Sequence, residues 1–417
     1  MRKLPNGISN YEDIVAEDMI YVDKTMYIEK LEDLADNTVM FLRPRKFGKT
    51  LFTSTLECYY DKNKKDKFEE LFGKTYIGKN PTQNRNRYCL LKFDFSSISV
   101  NGVQEVIDEF RKQVDIGINK FASDYKLDFY NDPEQSTEGI LDSIFNAFYI
   151  QKPDEQIYVI IDQYDNFAEE LLNFKLNELE ELIKKVRKIR NWYAILKKGT
   201  ETVVNRIFIT GTIPINLDGL TSGFNIGEDL TKNIDFNDMI GFNKEDVEYI
   251  MTELEISKEK QSELLPIIKK NYDGYIFSDE IEDEIENEKI SNYKLYNPNM
   301  TLYFFYEYKR KKDIPKKLVE INILSDYRKI EAFMELCQNM NKIELLEKIV
   351  AEEPIESGLT EKFNAEIEFR EKELISLLFY MGYLTIVKKG FGICSFKIPN
   401  EVIRKTYKEY YSKHKNK

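Results

Sequence analysis

The sequence predicts an α/β fold with a mainly parallel sheet, and three features point there. Apolar, β-branched runs at Thr38–Leu42, 88–95, 157–161 and 207–211 alternate with longer stretches of helical periodicity, the pattern of strands joined by crossover helices. The first run leads into Arg43-Pro-Arg-Lys-Phe-Gly-Lys-Thr50, a Gly-Lys-Thr loop that opens a helix. The third ends in Asp162, a carboxylate at the C-terminal edge of a strand apolar on both faces.

A phosphate-binding loop reads Gly-x-x-x-x-Gly-Lys-Ser/Thr between a strand and a helix. Its backbone N–H groups surround the phosphates, the lysine reaches the β- and γ-phosphates and the hydroxyl ligates Mg2+. Gly48, Lys49 and Thr50 supply the closing half, while Arg43 stands where the first glycine would be. A Gly-Lys-Thr triplet alone arises by chance in a lysine-rich chain, so the setting is the specific part. The run before it suits a buried strand, and residues 49–60 contain no helix breaker and carry Phe52 and Leu56. Asp162 is placed to hold the Mg2+ bound by Thr50, directly or through water. The expected nucleotide-binding set is Arg43, Pro44, Arg45, Lys46, Phe47, Gly48, Lys49, Thr50 and Leu51, with Thr50 and Asp162 as the metal pair.

The order of elements continues the α/β pattern. The 88–95 run reads as a strand, and Asn101 as a cap for a helix with Val103, Val106, Ile107, Phe110 and Val114 on its apolar face. Helices are expected at 140–149 and about 176–198, followed by the strand 207–211. Thr210 and Thr212 stand where a polar sensor of the γ-phosphate or attacking water would sit, and an ordinary strand-to-loop exit reads equally well. Beyond residue 242 the strand signal fades. Asn243-Lys-Glu-Asp246 resembles a helix cap, and helical patterns run to about 349, read as a lid over the nucleotide site. Helix 373–382, strands 384–387 and 393–398 and a helix from Asn400 suggest a winged-helix-like module. The expected division is a 1–240 core, a 241–350 lid and a 351–417 module with a basic tail.

With 417 residues, 42% hydrophobic and 32% charged, the chain has room for two or three cored domains and is not a disordered polymer. No apolar run approaches the ~18 residues of a spanning helix, and the N-terminus lacks a signal core. No membrane contact and an intracellular, by default cytoplasmic, location are expected. Cys58, Cys89, Cys337 and Cys394 form no Cys-x-x-Cys pair and read as buried thiols. The single histidine, His414, lies in a basic tail, which excludes Ser-His-Asp and Cys-His triads and His-based zinc hydrolysis. A net charge of −12 argues against broad adhesion to nucleic acid. The basic stretches 184–198 and 404–417 leave local contact with nucleic acid or protein open, although a solvated face is the plainer reading of both. The acidic run 278–287 reads as a solvated loop or insertion.

The chain resembles the AAA-ATPase-like family, often fused to a PD-(D/E)XK-type nuclease domain, over nearly all of its length. The specific blocks are Tyr21-Val-Asp-Lys-Thr25 and Arg43-Pro-Arg-Lys-Phe-Gly-Lys-Thr50. Ile161-Asp-Gln-Tyr-Asp165, Thr210-Gly-Thr212, Gly241-Phe-Asn243, Tyr272-Asp-Gly-Tyr275, Tyr296-Asn-Pro298 and Gly382-Tyr-Leu-Thr385 also match. In that family arginine at the first loop position is normal. The resemblance implies an ASCE-type P-loop NTPase core that binds ATP, with Tyr21, Asp23 and Lys24 near the nucleotide, a helical lid and a winged-helix-like end. Two departures stand out. The family usually has Asp-Glu where this chain has Asp162-Gln163, and no carboxylate-and-lysine nuclease cluster occurs in these residues, so no nuclease activity is expected of them.

Losing a general base typically costs ~10²–10⁴-fold in rate. Gln163 cannot take a proton but can orient water, as the glutamine of small GTPases does. Asp165 could substitute, and reads equally as a cap or loop carboxylate. The expected function is therefore an ATP-binding protein that hydrolyses slowly or acts as an ATP-dependent switch, with Gln163, Asp165 and Thr210 as catalytic candidates. The alternative is an inactive P-loop scaffold that binds nucleic acid or a protein partner through its C-terminal module. A nucleotide kinase is a weaker third reading, disfavoured by the long lid and terminal module.

Overall fold

The structure is a computed structural model. It describes residues 2–98, 103–166, 179–215, 227–280, 293–318, 334, 342–363, 370–390 and 392–414, without the side chains of 103–104, 179–188, 342 and 413–414. Most of the acidic run, the side chains of 184–188 in the basic helix, and Cys337 lie outside the described residues.

In chain order the elements are α1 (Tyr11–Ala16), α2 (Met26–Glu32), β1 (Thr38–Leu42), α3 (Lys49–Tyr60), α4 (Phe68–Phe72), α5 (Tyr76–Lys79), β2 (Cys89–Asp94), α6 (Val103–Asp124), α7 (Thr137–Gln151) and β3 (Ile157–Asp162). There follow α8 (Leu179–Gly199), β4 (Val204–Gly211), β5 (Glu228–Asp229), α9 (Lys244–Glu253), α10 (Lys258–Tyr272), α11 (Pro298–Lys311) and α12 (Lys342–Val350). The C-terminal part adds β6 (Ile355–Ser357), α13 (Glu371–Tyr380), β7 (Thr385–Gly390), β8 (Ile393–Lys397) and α14 (Glu401–His414).

The main sheet has the order β2-β3-β4-β1-β5, and every pairing in it is parallel. One strand, β4, thus separates the strand that feeds the loop from the strand that ends in Asp162. Side chains alternate between two cores, as the period of two requires. Val39, Phe41, Leu90, Tyr158, Ile160 and Phe208 pack toward Phe52 and Leu56 of α3. Leu91, Phe93, Val159, Ile161, Ile207 and Ile209 pack on the other side with α6, α7 and α8. On α6 the buried residues Val106, Phe110, Val114, Ile118 and Phe121 recur at helical spacing. Gly117 lets that helix close on the sheet, since a Cβ there would lie 2.6 Å from the Lys92 carbonyl.

The helices after residue 243 build a third core from Val247, Ile250, Leu264, Ile268, Tyr272 and Phe304. Asn243 caps α9 through a capping box with Asp246, as the Asn-x-x-Asp spacing predicts. The C-terminal helix, hairpin and helix are present at α13, β7–β8 and α14, and β6 joins them in an antiparallel sheet of order β6-β8-β7. These elements do not keep a core to themselves: Leu378, Phe379, Ile386 and Phe396 belong to the same cluster as Phe41, Phe47 and Phe52.

Candidate functional site

Between β1 and α3 the chain turns through residues 43–48. Arg43 N–H donates to the Gly211 carbonyl at 3.1 Å, extending the β1–β4 pairing by one bond. The left-handed positions of the loop are Lys46 (φ 66°) and Gly48 (φ 104°), and Arg43 is not among them. Position 43 therefore makes no conformational demand for glycine. Its side chain is 1% exposed. The guanidinium donates to the carbonyls of Leu42 (2.9 Å), Thr231 (2.8 Å) and Asn237 (3.1 Å). It lies between the rings of Phe41 and Phe277, at 4.2 and 4.4 Å from their centroids. Burial pushes it down to about 9, against the pull of Asp238 and Asp229, so it remains a cation at neutral pH.

The outer wall of the loop comes from far along the chain. Phe47 is buried edge-on against Tyr275 (5.0 Å) and Phe277 (5.5 Å). Gly382 (φ 80°) approaches Pro44 so closely that an added Cβ would sit 2.9 Å from its Cγ.

A cavity of about 440 Å³ opens beside the loop. Arg45 through Leu51 line it, together with Tyr21, Lys24, Ser96, Gln163 and Asn166. Val22, Ile240, Phe242 and Leu302 add apolar surface. A helix leaves the N–H groups of its first turn without intrahelical partners, and α3 begins here at Lys49 and Thr50, so the lining joins cations and helix-terminal amides to apolar walls. Lys49 is 4% exposed. Its Nζ donates to the carbonyls of Arg43 (2.7 Å) and Pro44 (3.0 Å) and to Thr212 Oγ1 (3.4 Å).

Asp162 is fully buried. Its carboxylate accepts from Thr210 Oγ1 at 2.6 Å and from Thr53 Oγ1 at 3.4 Å, one helical turn beyond Thr50. Gln163 holds a left-handed φ of 57°, a conformation uncommon outside glycine, and its N–H donates to Thr210 Oγ1 at 3.3 Å. Thr210 thus joins the two residues that follow one another at the end of β3.

The remaining candidates divide. Tyr21 lines the cavity and its hydroxyl meets Thr55 Oγ1 at 3.4 Å. Lys24 lines it too, ion-paired with Asp246 Oδ2 at 2.5 Å. Arg45 bonds Asn166 Oδ1 at 2.8 Å. Asp23 is not in the lining; its carboxylate accepts from the N–H groups of Thr25 (2.9 Å) and Tyr76 (2.7 Å). Asp165 is absent from the lining as well. Its Oδ2 accepts from the N–H groups of Thr212 (2.8 Å) and Ile213 (2.6 Å), so the carboxylate shapes the exit from β4. Arg43 and Pro44 contribute carbonyls to Lys49, and their side chains lie outside the lining.

Residues 5–221 match the family described as predicted AAA-ATPase. The chain belongs to the AAA-ATPase-like family. A curated relative from Azotobacter chroococcum mcd 1, described as "Uncharacterized protein in vnfD 5'region", is 24% identical over 252 residues, covering 60% of this chain and 45% of that protein. The AAA-ATPase-like chain thus spans less than half of that relative's length. No solved structure matches it. Sequence reasoning missed Ser96, Asn166 and the 239–242 wall of the cavity. The Gly241-Phe-Asn243 block of the family pattern was the available signal for the last of these. No described helix is long and apolar enough to cross a membrane.

Proposed function

We propose that the chain binds Mg·ATP in this cavity and acts as a slow ATPase or ATP-dependent conformational switch. The observation that carries the reading is the convergence of Lys49, Thr50 and the loop with Gln163 on one cavity, with the buried Asp162 meeting Thr53, one helical turn beyond Thr50. The residues suit the ligand's chemistry. Amides of the α3 N-terminus and the cations Lys24, Lys46 and Lys49 favour phosphate, and the apolar walls favour a base.

Thr50 and Asp162 would hold Mg2+, which when bound neutralises phosphate charge. Lys49 exchanges its loop carbonyls for phosphate oxygens, and Gln163 orients the attacking water. Thr210, bonded to both Asp162 and the Gln163 amide, fixes their relative position. Residues 1–240 serve as the core, 241–350 as a lid that supplies Phe242 and Leu302 to the cavity, and 351–417 as a winged-helix-like module whose orientation follows the loop.

One observation favours the second reading, a scaffold that no longer turns over and acts through its C-terminal module or the 184–198 helix on nucleic acid or protein. Glutamine at position 163 accepts no proton. The deciding experiment is a thermal-shift titration with Mg·ATP and Mg·ADP on wild type, Lys49→Ala and Thr50→Ala, with phosphate release followed in the same samples. A ligand at ~100-fold above its dissociation constant adds roughly 2.7 kcal/mol to the folded state. A shift in wild type that both variants lose supports the site, and release of phosphate separates the ATPase from the switch. No shift in wild type would sink the nucleotide reading.

A further inference from the structure

A carboxylate placed to take the water proton would speed hydrolysis at this site, and neither Gln163 nor Asp165 offers one there: Gln163 carries an amide and Asp165 Oδ2 accepts from two backbone amides. The neighbouring strand does. β2 runs parallel to β3 with Asp94 registered directly beside Asp162, so two strands whose backbones lie ~4.8 Å apart each end in an aspartate. Registered side chains of neighbouring strands share a face. On that face Leu90 of β2 packs in the α3 core, and Lys92 Nζ reaches Glu57 Oε2 of α3 at 2.9 Å. By alternation Asp94 projects on the α3 side, the side of the loop. Unlike Asp162, Asp94 is exposed.

Asp94 is not itself in the cavity lining but is bonded to a residue that is. Asp94 Oδ1 accepts from the Ser96 N–H at 2.9 Å, and Ser96 lines the cavity with Thr50 and Gln163. Asn166 Nδ2 donates to the carbonyls of Phe95 (3.1 Å) and Ile98 (2.9 Å) while its Oδ1 accepts from Arg45. The segment after β2 is thereby tied to the phosphate loop.

We infer that Asp94 is the catalytic base, a role moved one strand outward from the position Gln163 occupies. The inference rests on the ATPase reading above. Water held by Gln163 attacks the γ-phosphorus. The new P–O bond forms as the bond to the β–γ bridging oxygen breaks, its electron pair leaves with ADP, and the water proton passes to the Asp94 carboxylate.

The test compares Asp94→Asn, Asp94→Ala and Asp94→Asn/Gln163→Glu with wild type, measuring Mg·ATP affinity, phosphate release and thermal midpoint. Asparagine keeps an Oδ1 for the Ser96 amide, so a purely structural role would spare Asp94→Asn and cost only Asp94→Ala. The expected result is unchanged Mg·ATP affinity in both single variants, phosphate release reduced ~10²-fold or more in both, and release recovered when glutamate is placed at 163. Wild-type turnover by Asp94→Asn, or loss of ATP binding in it, would overturn the assignment without touching the nucleotide reading of the wild type. So would a wild type that binds Mg·ATP and releases no phosphate. A wild type that binds no nucleotide would instead remove the reading on which the assignment rests.

Discussion

Replacing Arg43 by glycine would restore the usual opening residue of a phosphate-binding loop, and the structure says the change would damage the protein. The backbone at 43 does not occupy a conformation that calls for glycine. What the substitution removes is a buried cation bonded to carbonyls on three segments and covered by two rings. The carbonyls of Thr231 and Asn237 lose that donor at about 1–3 kcal/mol each. Glycine adds ~0.5–1 kcal/mol of backbone freedom, and the lost ring contacts ~0.5–2 kcal/mol. Relief of the desolvation that holds the guanidinium near 9 offsets part of this, leaving a net loss of about 3–5 kcal/mol. At about 2–4 °C per kcal/mol for a domain of 150–250 residues, the midpoint should fall by roughly 6–20 °C. Arg43→Met, which keeps bulk between the rings, should lose less. Differential scanning fluorimetry on the three proteins reads this directly. An Arg43→Gly protein melting at or above wild type would refute the argument that the side chain fastens the loop.

Gly382→Ala would put a Cβ 2.9 Å from Pro44 at a left-handed φ. It should cost about 1–2 kcal/mol and weaken Mg·ATP binding, and unchanged affinity in a calorimetric titration would show that the loop had not moved. Asp246→Ala removes the acceptor of the Asn243 N–H, one half of the α9 capping box, and the partner of Lys24. It should cost about 1–2 kcal/mol, with Asp246→Asn losing less because asparagine keeps an oxygen for the Asn243 N–H, as thermal midpoints will tell. Burial pushes Asp273 up to about 6, and its Oδ1 has no hydrogen-bond partner among the described residues. A carboxyl raised above its unfolded value of 3.8 binds its proton more tightly when folded, so its contribution is present below that value and lost as pH climbs through about 6. Asp273→Asn should therefore gain stability relative to wild type between pH 4 and 7, on the order of 2–3 kcal/mol; a pH-independent difference in urea midpoints would contradict it.

Much of the core was legible because strand and helix periods are local. The run at 38–42 falls on β1 as observed, and Asn243 with Asp246 announced its own helix. What stayed hidden depends on contacts between distant segments. Arg43 looked like a departure from a motif because its acceptor at Asn237 lies 194 residues away. Asp94 drew no notice because only strand register places it beside Asp162. Asp165 reads in the sequence either as a base or as a cap or loop carboxylate, because the two amides that bind its Oδ2 come from the exit of another strand. The C-terminal hairpin and its flanking helices were readable from their own patterns, whereas their packing against the loop was not.

That packing has a thermodynamic corollary. Arg43, Pro44 and Phe47 rest on Phe277, Gly382 and Tyr275, all beyond the residues 5–221 that match the family. A fragment ending at residue 221 would keep the motif and lose the surface it leans on. In the whole chain the two ends of this contact are bound by reciprocity. Any partner that shifts the C-terminal elements and so alters nucleotide affinity must have its own affinity altered by nucleotide through the same factor. Nucleotide affinity thus offers a screen for molecules that bind the C-terminal elements.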